Sequence, residues 1–563
     1  MTTDPSTHDP AADDPSAHDT AAHYRRAGYR ATGLWTDDTL AGLVPGAAAR
    51  HPDRELFLFE GRRVSYGEFD RWTRTVAADL VTRGVRRGDR VLVQLPNCLE
   101  ALVLQVAAFR AGAVDVPVVP IYRRHEMRQI LADARPAVVC SAATMGDRAP
   151  AEEIDTLLDE LGQSPLVRYV VGGERPGWDA VPEAADTDVA LPEPGTPDEP
   201  ALLLYTSGTT SAPKGALLSA RAVFAHMVNF ADVLGAGEDT VTLAATPLSH
   251  LGGFVAAVVF PAFLGGRSVI MPGWRPDEAM QVIEDEKVTL MMGATVFLAD
   301  MVARYETAPP GEHRLGIYAA AGAAVAPELI DRASAVGLQV ARAYGMTETA
   351  GVCAAASSRD PLERRRAWDG RLLRGMEIQV VDDERNLVPP GTVGQFRIRG
   401  PQMLTAYTDP ALTAEQIDAD GWFYPGDAGR VDADGWVQMV GRTKDIVNRG
   451  GEKFSTMDIE MAIASHPGVA RVAVTAVAEE RLGEAVGAWV VLDDATRARG
   501  AEPLVEHLHG RGLAKQKIPT RWHVVAEIPA TASGKIQKHR LAALDDIESW
   551  DTTPARTNER STP

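Results

Sequence analysis

Residues 202–215 read LLLYTSGTTSAPKG. The apolar run Leu202, Leu203, Leu204 and Tyr205 has the composition of a buried strand and stops at Thr206, Ser207, Gly208, Thr209, Thr210 and Ser211, with Lys214 close behind. Hydroxyls, unhindered backbone N–H groups and one ammonium in a tight loop are what phosphate oxygens require. The spacing is not that of the common nucleotide loop. Six positions separate Gly208 from Lys214, no glycine precedes the lysine, and Gly215 stands where a Mg²⁺-binding hydroxyl would be. On composition alone the stretch reads equally well as a Ser/Thr/Gly linker.

Upstream of it, apolar strand-like runs at 90–95, 113–119 and 136–140 alternate with helical spacing at 99–111 and 124–134. That alternation predicts crossover units and a mostly parallel sheet covered by helices. Residues 141–198 are richer in Pro, Gly, Asp and Glu and read as a peripheral excursion. Downstream, GRTKDIVNRGG at 441–451 is polar and suits a hinge. After it the pattern predicts a helix (457–464), two strands (470–477, 485–492), a helix (504–513) and a strand (522–526), a unit of domain size. The fold class expected is α/β: a large N-terminal body of α/β sheets with a small mobile α+β C-terminal domain. The boundaries expected are a disordered tail at 1–23, the body at 24–443, the lid at 444–546 and a second tail at 547–563. The tails are polar, lack a core-forming pattern and cannot repay ordering entropy.

The chain has 563 residues and a net charge of −20, with 57 Lys+Arg against 77 Asp+Glu. An acidic balance disfavours nucleic acid and anionic membranes, so a polyanionic ligand has to be held by a local cluster of donors. Three scattered cysteines, Cys98, Cys140 and Cys353, form neither a disulfide framework nor a metal motif. The longest apolar run, 254–264, is well short of the ~20 residues of a membrane span. No secretion signal is legible, and a soluble cytoplasmic protein is expected.

Seven further stretches follow in order: PLSHLGG (247–253), AGAAVAPE (321–328), YGMTE (344–348), GQFRIRGP (394–401), GWFYPGD (421–427), GRTKD (441–445) and TASGK (531–535). Together with YTSGTTSAPKG (205–215), the set resembles the acyl-adenylate-forming superfamily of acyl-CoA synthetases, peptide-synthetase adenylation domains and firefly luciferase. Within it the chain is most similar to bacterial cyclohexanecarboxylate– and fatty-acid–CoA ligases, a likeness that includes YRRAGYRATGLWTDDTL at 24–40.

The resemblance implies an activity and a site. A carboxylate is a poor electrophile; attack of its oxygen on the α-phosphate of ATP forms a mixed anhydride in which AMP is a good leaving group, and releases pyrophosphate. Negative charge gathers on phosphorus oxygens, so positioning and electrostatics do most of the catalysis. By resemblance, Thr206, Ser207, Gly208, Thr209, Thr210 and Lys214 grip the outgoing phosphates. Thr347 meets the α-phosphate and Glu348 ligates Mg²⁺, a hard cation suited to carboxylate. Tyr344 with Gly345, and the small loop Gly322, Ala323 and Ala324, flank adenine, and Asp427 and Arg442 take the ribose hydroxyls. Lys535 is the implied catalytic lysine between carboxylate and α-phosphate, and Lys444 the hinge about which the small domain turns. His250 gates an acid pocket expected to involve Gly252, Gly253 and Ala321, with walls around 250–254, 293–297 and 319–322. The small residues there imply space for a ring or chain.

The implied co-substrates are ATP with Mg²⁺, a small-molecule acid and CoA. Five positions depart from the family pattern: Ser211, Ala321, Ala406, Pro425 and Lys453. None removes a charged catalytic group, but several lie near the nucleotide or the second half-reaction. Three functions follow: an acid–CoA ligase; adenylation with another acceptor (a carrier-protein thiol, or nitrite activation for diazotising an aryl amine); and a non-catalytic nucleotide-binding relative.

Overall fold

The computed structural model describes residues 25–206, 213–307, 315–322, 325–442, 446–449, 452–479, 483–530, 536–544 and 547–552. Among them, an eight-stranded sheet carries the first crossover units. Strands Arg90–Gln94, Val114–Pro117, Val138–Ala142 and Val167–Val171 lie parallel, and Pro200–Thr206 joins them beside Val114–Pro117. Successive side chains face opposite sides: Val91 and Val93 belong to one core, Leu92 to another. Helices Tyr66–Thr82 and Leu99–Arg110 pack on the first, Arg124–Ala134 and Pro150–Leu161 on the second. Both faces are therefore dry, which is why these strands read as unbroken apolar runs.

The excursion expected at 141–198 is in part a structural unit. Helix Pro150–Leu161 and strand Val167–Val171 complete another crossover, and Asp179–Ala180 extends the edge. Apolar residues at helical spacing, Ile154, Leu157 and Leu158, are buried inside a segment whose average composition is polar.

A 13-stranded sheet is half parallel and half antiparallel. Strands Arg267–Ile270, Val241–Ala244, Leu290–Gly293, Ile317–Ala320 and Gln339–Met346 run parallel; from Gly351–Ala355 onward through Gly370–Leu372, Trp436–Arg442 and Asp427–Val431, neighbours alternate in direction. The apolar run at 254–264 is a buried helical stretch, Leu251–Phe254, Val255–Val259 and Phe260–Leu264, lying against this body. Among the described residues no helix is long and apolar enough to cross a membrane.

Strand Trp436–Arg442 ends in the large sheet and Ile446–Arg449 begins a separate six-stranded one. There, helices Thr456–Ala464 and Glu502–Gly510 cover strands Val469–Glu479, Gly483–Leu492 and Arg521–Val524 around buried Trp522. Glu548–Asp551 pairs with Arg521–Val524, placing Trp550 opposite Trp522. The tail expected from 547 thus includes an edge strand, anchored by one tryptophan in an otherwise polar stretch. Arg511 of this unit meets Glu328 of the body at 2.6 Å with side chains 40% and 52% exposed. A pair so wet contributes ~0–1 kcal/mol and cannot hold the two units rigidly together.

Candidate active site

The large sheet changes from parallel to antiparallel at YGMTE. Strand Gln339–Met346 leads through a 3₁₀ turn, Thr347–Thr349, into Gly351–Ala355, with Ala350 in the left-handed region at φ 49°. The register slips between Tyr344 and Gly345, where the strands come so close that a Cβ on Gly345 would lie 2.1 Å from the Gly351 carbonyl oxygen. Gly351 has φ 124°, and its Cβ would lie 2.6 Å from the His226 ring. Thr349 knits the turn: its Oγ1 lies 2.6 Å from the Gly351 carbonyl oxygen and accepts the Met346 N–H at 3.1 Å. Open α/β sheets tend to bind ligands beyond strand C-termini where the chain's course changes, and this turn has that location.

Beneath the turn lies a polar cluster that the sequence reading missed. Gln402, fully buried, donates through Nε2 to the carbonyls of Thr349 at 3.0 Å and Val352 at 2.5 Å. Its Oε1 accepts from Asn229 at 3.3 Å, and Asn229 also donates to the Arg374 carbonyl at 3.0 Å. His226 Nε2 accepts the Val352 N–H at 3.1 Å, which requires a neutral ring. Burial depresses the His226 pKa to about 3.

The sign of the resulting pH dependence follows. Above pH ~6.5 both folded and unfolded histidine are neutral; between that value and about 3 only the unfolded state takes the proton, so stability falls with falling pH. The limiting slope is ~1.4 kcal/mol per pH unit. H226Q, whose amide oxygen replaces the acceptor without titrating, is expected to flatten the dependence between pH 6 and 4, read by urea unfolding at several pH values. Parallel curves for the two proteins would remove His226 from this role.

On the nucleotide side implied by resemblance, Tyr344 donates to Asp427 Oδ2 at 2.7 Å, and Arg442 Nε lies 3.2 Å from Oδ1. Asp427 and Arg442 are partners in register on adjacent antiparallel strands, so the sheet itself sets the pair. Asp427 is 3% exposed, and a carboxylate buried that deeply needs such partners. Burial, then the Asp427 charge, holds the Tyr344 phenol well above its ordinary pKa, so it stays a donor.

Glu348 Oε1 accepts from the Tyr407 hydroxyl at 2.9 Å. Tyr407 lies on Ala406–Tyr407, which pairs with Lys214–Ser219, the strand leaving the phosphate-type loop. Thr206 and Lys214 face one another across that loop's stem. The structure thus brings Glu348, Thr206 and Lys214 into one region through Tyr407. Ser207, Gly208, Thr209, Thr210, Ala323, Lys444 and Lys535 lie outside the described residues. Ala530 and Ile536 bridge across the stretch containing Lys535.

His250 lines a cavity with Ser249 and Thr347, walled by Val118, Tyr122 and Tyr205. Burial lowers the His250 pKa and keeps the ring neutral. No residue of 293–297 or 319–322 lines this cavity. Around 293–297, a Cβ on Gly293 would lie 2.6 Å from the Tyr318 hydroxyl, which donates to Ala294, and Phe297 stacks on Trp274 at 4.5 Å. Gly253 lets the chain pass Pro247, whose oxygen would be 2.1 Å from a Cβ, while Gly252 has open space around it. Ala321 donates its N–H to Gly293 at 3.3 Å, and Gly322 has φ 84°.

These groups suit a nucleotide and a hard cation. Asp427 Oδ1 and the Arg442 guanidinium supply an acceptor and donors for vicinal hydroxyls. Among the described residues no cluster of three or more His, Cys, Asp or Glu could hold a metal ion. Mg²⁺ is commonly held by one or two carboxylates with phosphates and water completing the shell, so a single carboxylate such as Glu348 is chemically sufficient on the protein side.

The comparisons with known proteins agree. The AMP-binding enzyme family model matches residues 45–408, and that of the AMP-binding enzyme C-terminal domain matches 458–535. The medium-chain fatty-acid–CoA ligase of Escherichia coli is 32% identical over 519 residues, 90% of this chain and 91% of that one. The indoleacetate–CoA ligase of Aromatoleum aromaticum is 32% identical over 515 residues, 90% and 97% of the two chains. ATP-bound MatB from Rhodopseudomonas palustris superposes with TM-score 0.77 at 28% identity, over 89% of this chain and 98% of that one. On this evidence the chain belongs to the AMP-binding enzymes of the acyl-adenylate-forming superfamily, and it is an acid–CoA ligase or a related AMP-forming ligase.

Proposed function

We propose that this chain joins a small carboxylic acid to AMP at the expense of ATP, releases pyrophosphate, and passes the acyl group to CoA. The observation that carries the reading is the buried Asp427, bracketed by Tyr344 and Arg442 on the sheet whose turn presents Thr347 and Glu348. In this reading Asp427 and Arg442 hold the ribose, and Tyr344 and Gly345 form an adenine wall with Gly322 and Ala323. Thr206–Thr210 and Lys214 receive the outgoing phosphates. Thr347 donates to the α-phosphate, and Glu348 holds Mg²⁺. The cation neutralises charge developing on phosphate oxygens.

His250 closes the acid side, with Gly252 and Gly253 in the first helical turn after it and Ala321 just past strand Ile317–Ala320. Lys535 carries the transition-state charge and Lys444 is the pivot that withdraws it before thioester formation. A lid that serves two half-reactions suits two units whose ion pair at Arg511 and Glu328 is wet, with Ser455 donating to the Val440 carbonyl beside the joint. The body at 24–443 and the lid from 444, which takes in the edge strand Glu548–Asp551, are the working units. Free thiols at Cys98, Cys140 and Cys353 suit the reducing cytoplasm. No nucleic-acid partner is proposed.

ATP–pyrophosphate exchange over an acid panel, without CoA, tests activation. Adding CoA then tests the acceptor by AMP release and the mass of the thioester. The expected result is acid-dependent exchange and a CoA-dependent rise in AMP. Absence of exchange with every acid would overturn the reading. Exchange with no thioester would redirect it to a carrier thiol, or to an amine after nitrite activation.

A further inference from the structure

Ser249 stands beside His250 in PLSHLGG and is 8% exposed, yet its Oγ has no hydrogen-bond partner among the described residues. A buried hydroxyl left unpaired is costly, and native structures leave few of them. Ser249 also lines the cavity shared by His250 and by Thr347, the residue proposed above to meet the α-phosphate. The free volume there is about 20 Å³, room for one water-sized group but not for an alkyl chain. Of the other polar walls, Tyr205 is committed, donating to Asp133 at 2.6 Å. His250 offers one donor and one acceptor as a neutral ring.

We infer that the acid activated by this chain bears a compact hydrogen-bonding substituent, a hydroxyl or amino group, recognised by Ser249 in the cavity beside His250. The inference rests on the proposed activation reaction and names its substrate class. Its selectivity has a physical origin. A parent acid without the substituent leaves the serine dry and unpaired, whereas the substituted acid satisfies it, and sites built in this way reject the analogue lacking the group.

The test is ATP–pyrophosphate exchange without CoA, so that the amides of the pantetheine arm cannot supply the partner. Acids are compared in matched pairs: benzoate against its ring-hydroxylated and ring-aminated derivatives, and propionate against its hydroxylated ones. The wild type is expected to favour one substituted member over its parent by on the order of 10–100-fold in kcat/KM, and S249A to bring that ratio to within about threefold of unity. A wild type that prefers the parents throughout, or a ratio untouched in S249A, overturns the inference: the serine then holds only a water, and activation stands. Absence of exchange with every acid, these pairs and the wider panel alike, overturns the activation reading and this inference with it.

Discussion

E348Q is expected to lose pyrophosphate exchange by a factor on the order of 10²–10³ while keeping the fold of the wild type. The substitution is nearly isosteric. A glutamine carbonyl oxygen still accepts the Tyr407 hydroxyl that Glu348 Oε1 accepts at 2.9 Å, so the turn Thr347–Thr349 keeps its contact with Ala406–Tyr407. What disappears is one negative charge. A hard cation binds a charged carboxylate oxygen more strongly than a neutral amide oxygen, so the ligand left in the variant is the weaker one. The loss is therefore expected to appear as a raised Mg²⁺ requirement, measured by exchange across a Mg²⁺ series. Y407F, which keeps the charge but frees it to wander, is expected to be milder. Full exchange by E348Q at every Mg²⁺ concentration would show that this carboxylate is not the metal ligand.

What the sequence made legible follows from how locally each feature is determined. The parallel strands stood out because both faces are dry, making each an unbroken apolar run, as in Arg90–Gln94 and Val138–Ala142. The turn at YGMTE was marked by the resemblance, and the structure supplies its physical reason: a Cβ on Gly345 would meet the Gly351 carbonyl oxygen. Asp427 and Arg442 were picked from separate motifs, and the sheet places them opposite each other. The features missed depend on residues distant in sequence. Gln402, Asn229 and His226 look ordinary singly; only folding brings them beneath one turn. The packing around 293–297 is likewise set from a distance, because Gly293 accommodates the Tyr318 hydroxyl from a neighbouring strand. Averaged composition hid the crossover at 150–171, and a single tryptophan turned part of a polar tail into a strand.

The buried amide under the turn gives the second large expectation. Q402L keeps the approximate volume of the side chain but removes both donors to the Thr349 and Val352 carbonyls and the acceptor for Asn229. Each buried polar group left unpaired costs ~1–3 kcal/mol, so the variant is expected to unfold in urea with a loss on the order of 3–5 kcal/mol. The turn it supports presents Thr347 and Glu348, so the folded fraction is also expected to lose kcat in exchange by more than about tenfold, with a smaller change in KM for ATP. A purely structural amide would lower the unfolding midpoint and leave the turnover of folded enzyme alone. The partner Asn229 separates the contributions. N229A breaks the same 3.3 Å bond from the other side, so the stability losses of N229A and Q402L are expected to sum to more than the loss in the double variant. Additive losses would mean that the shared bond contributes nothing and that Gln402 acts on the two carbonyls alone, each still within reach of a side chain that no motif in this chain marks out.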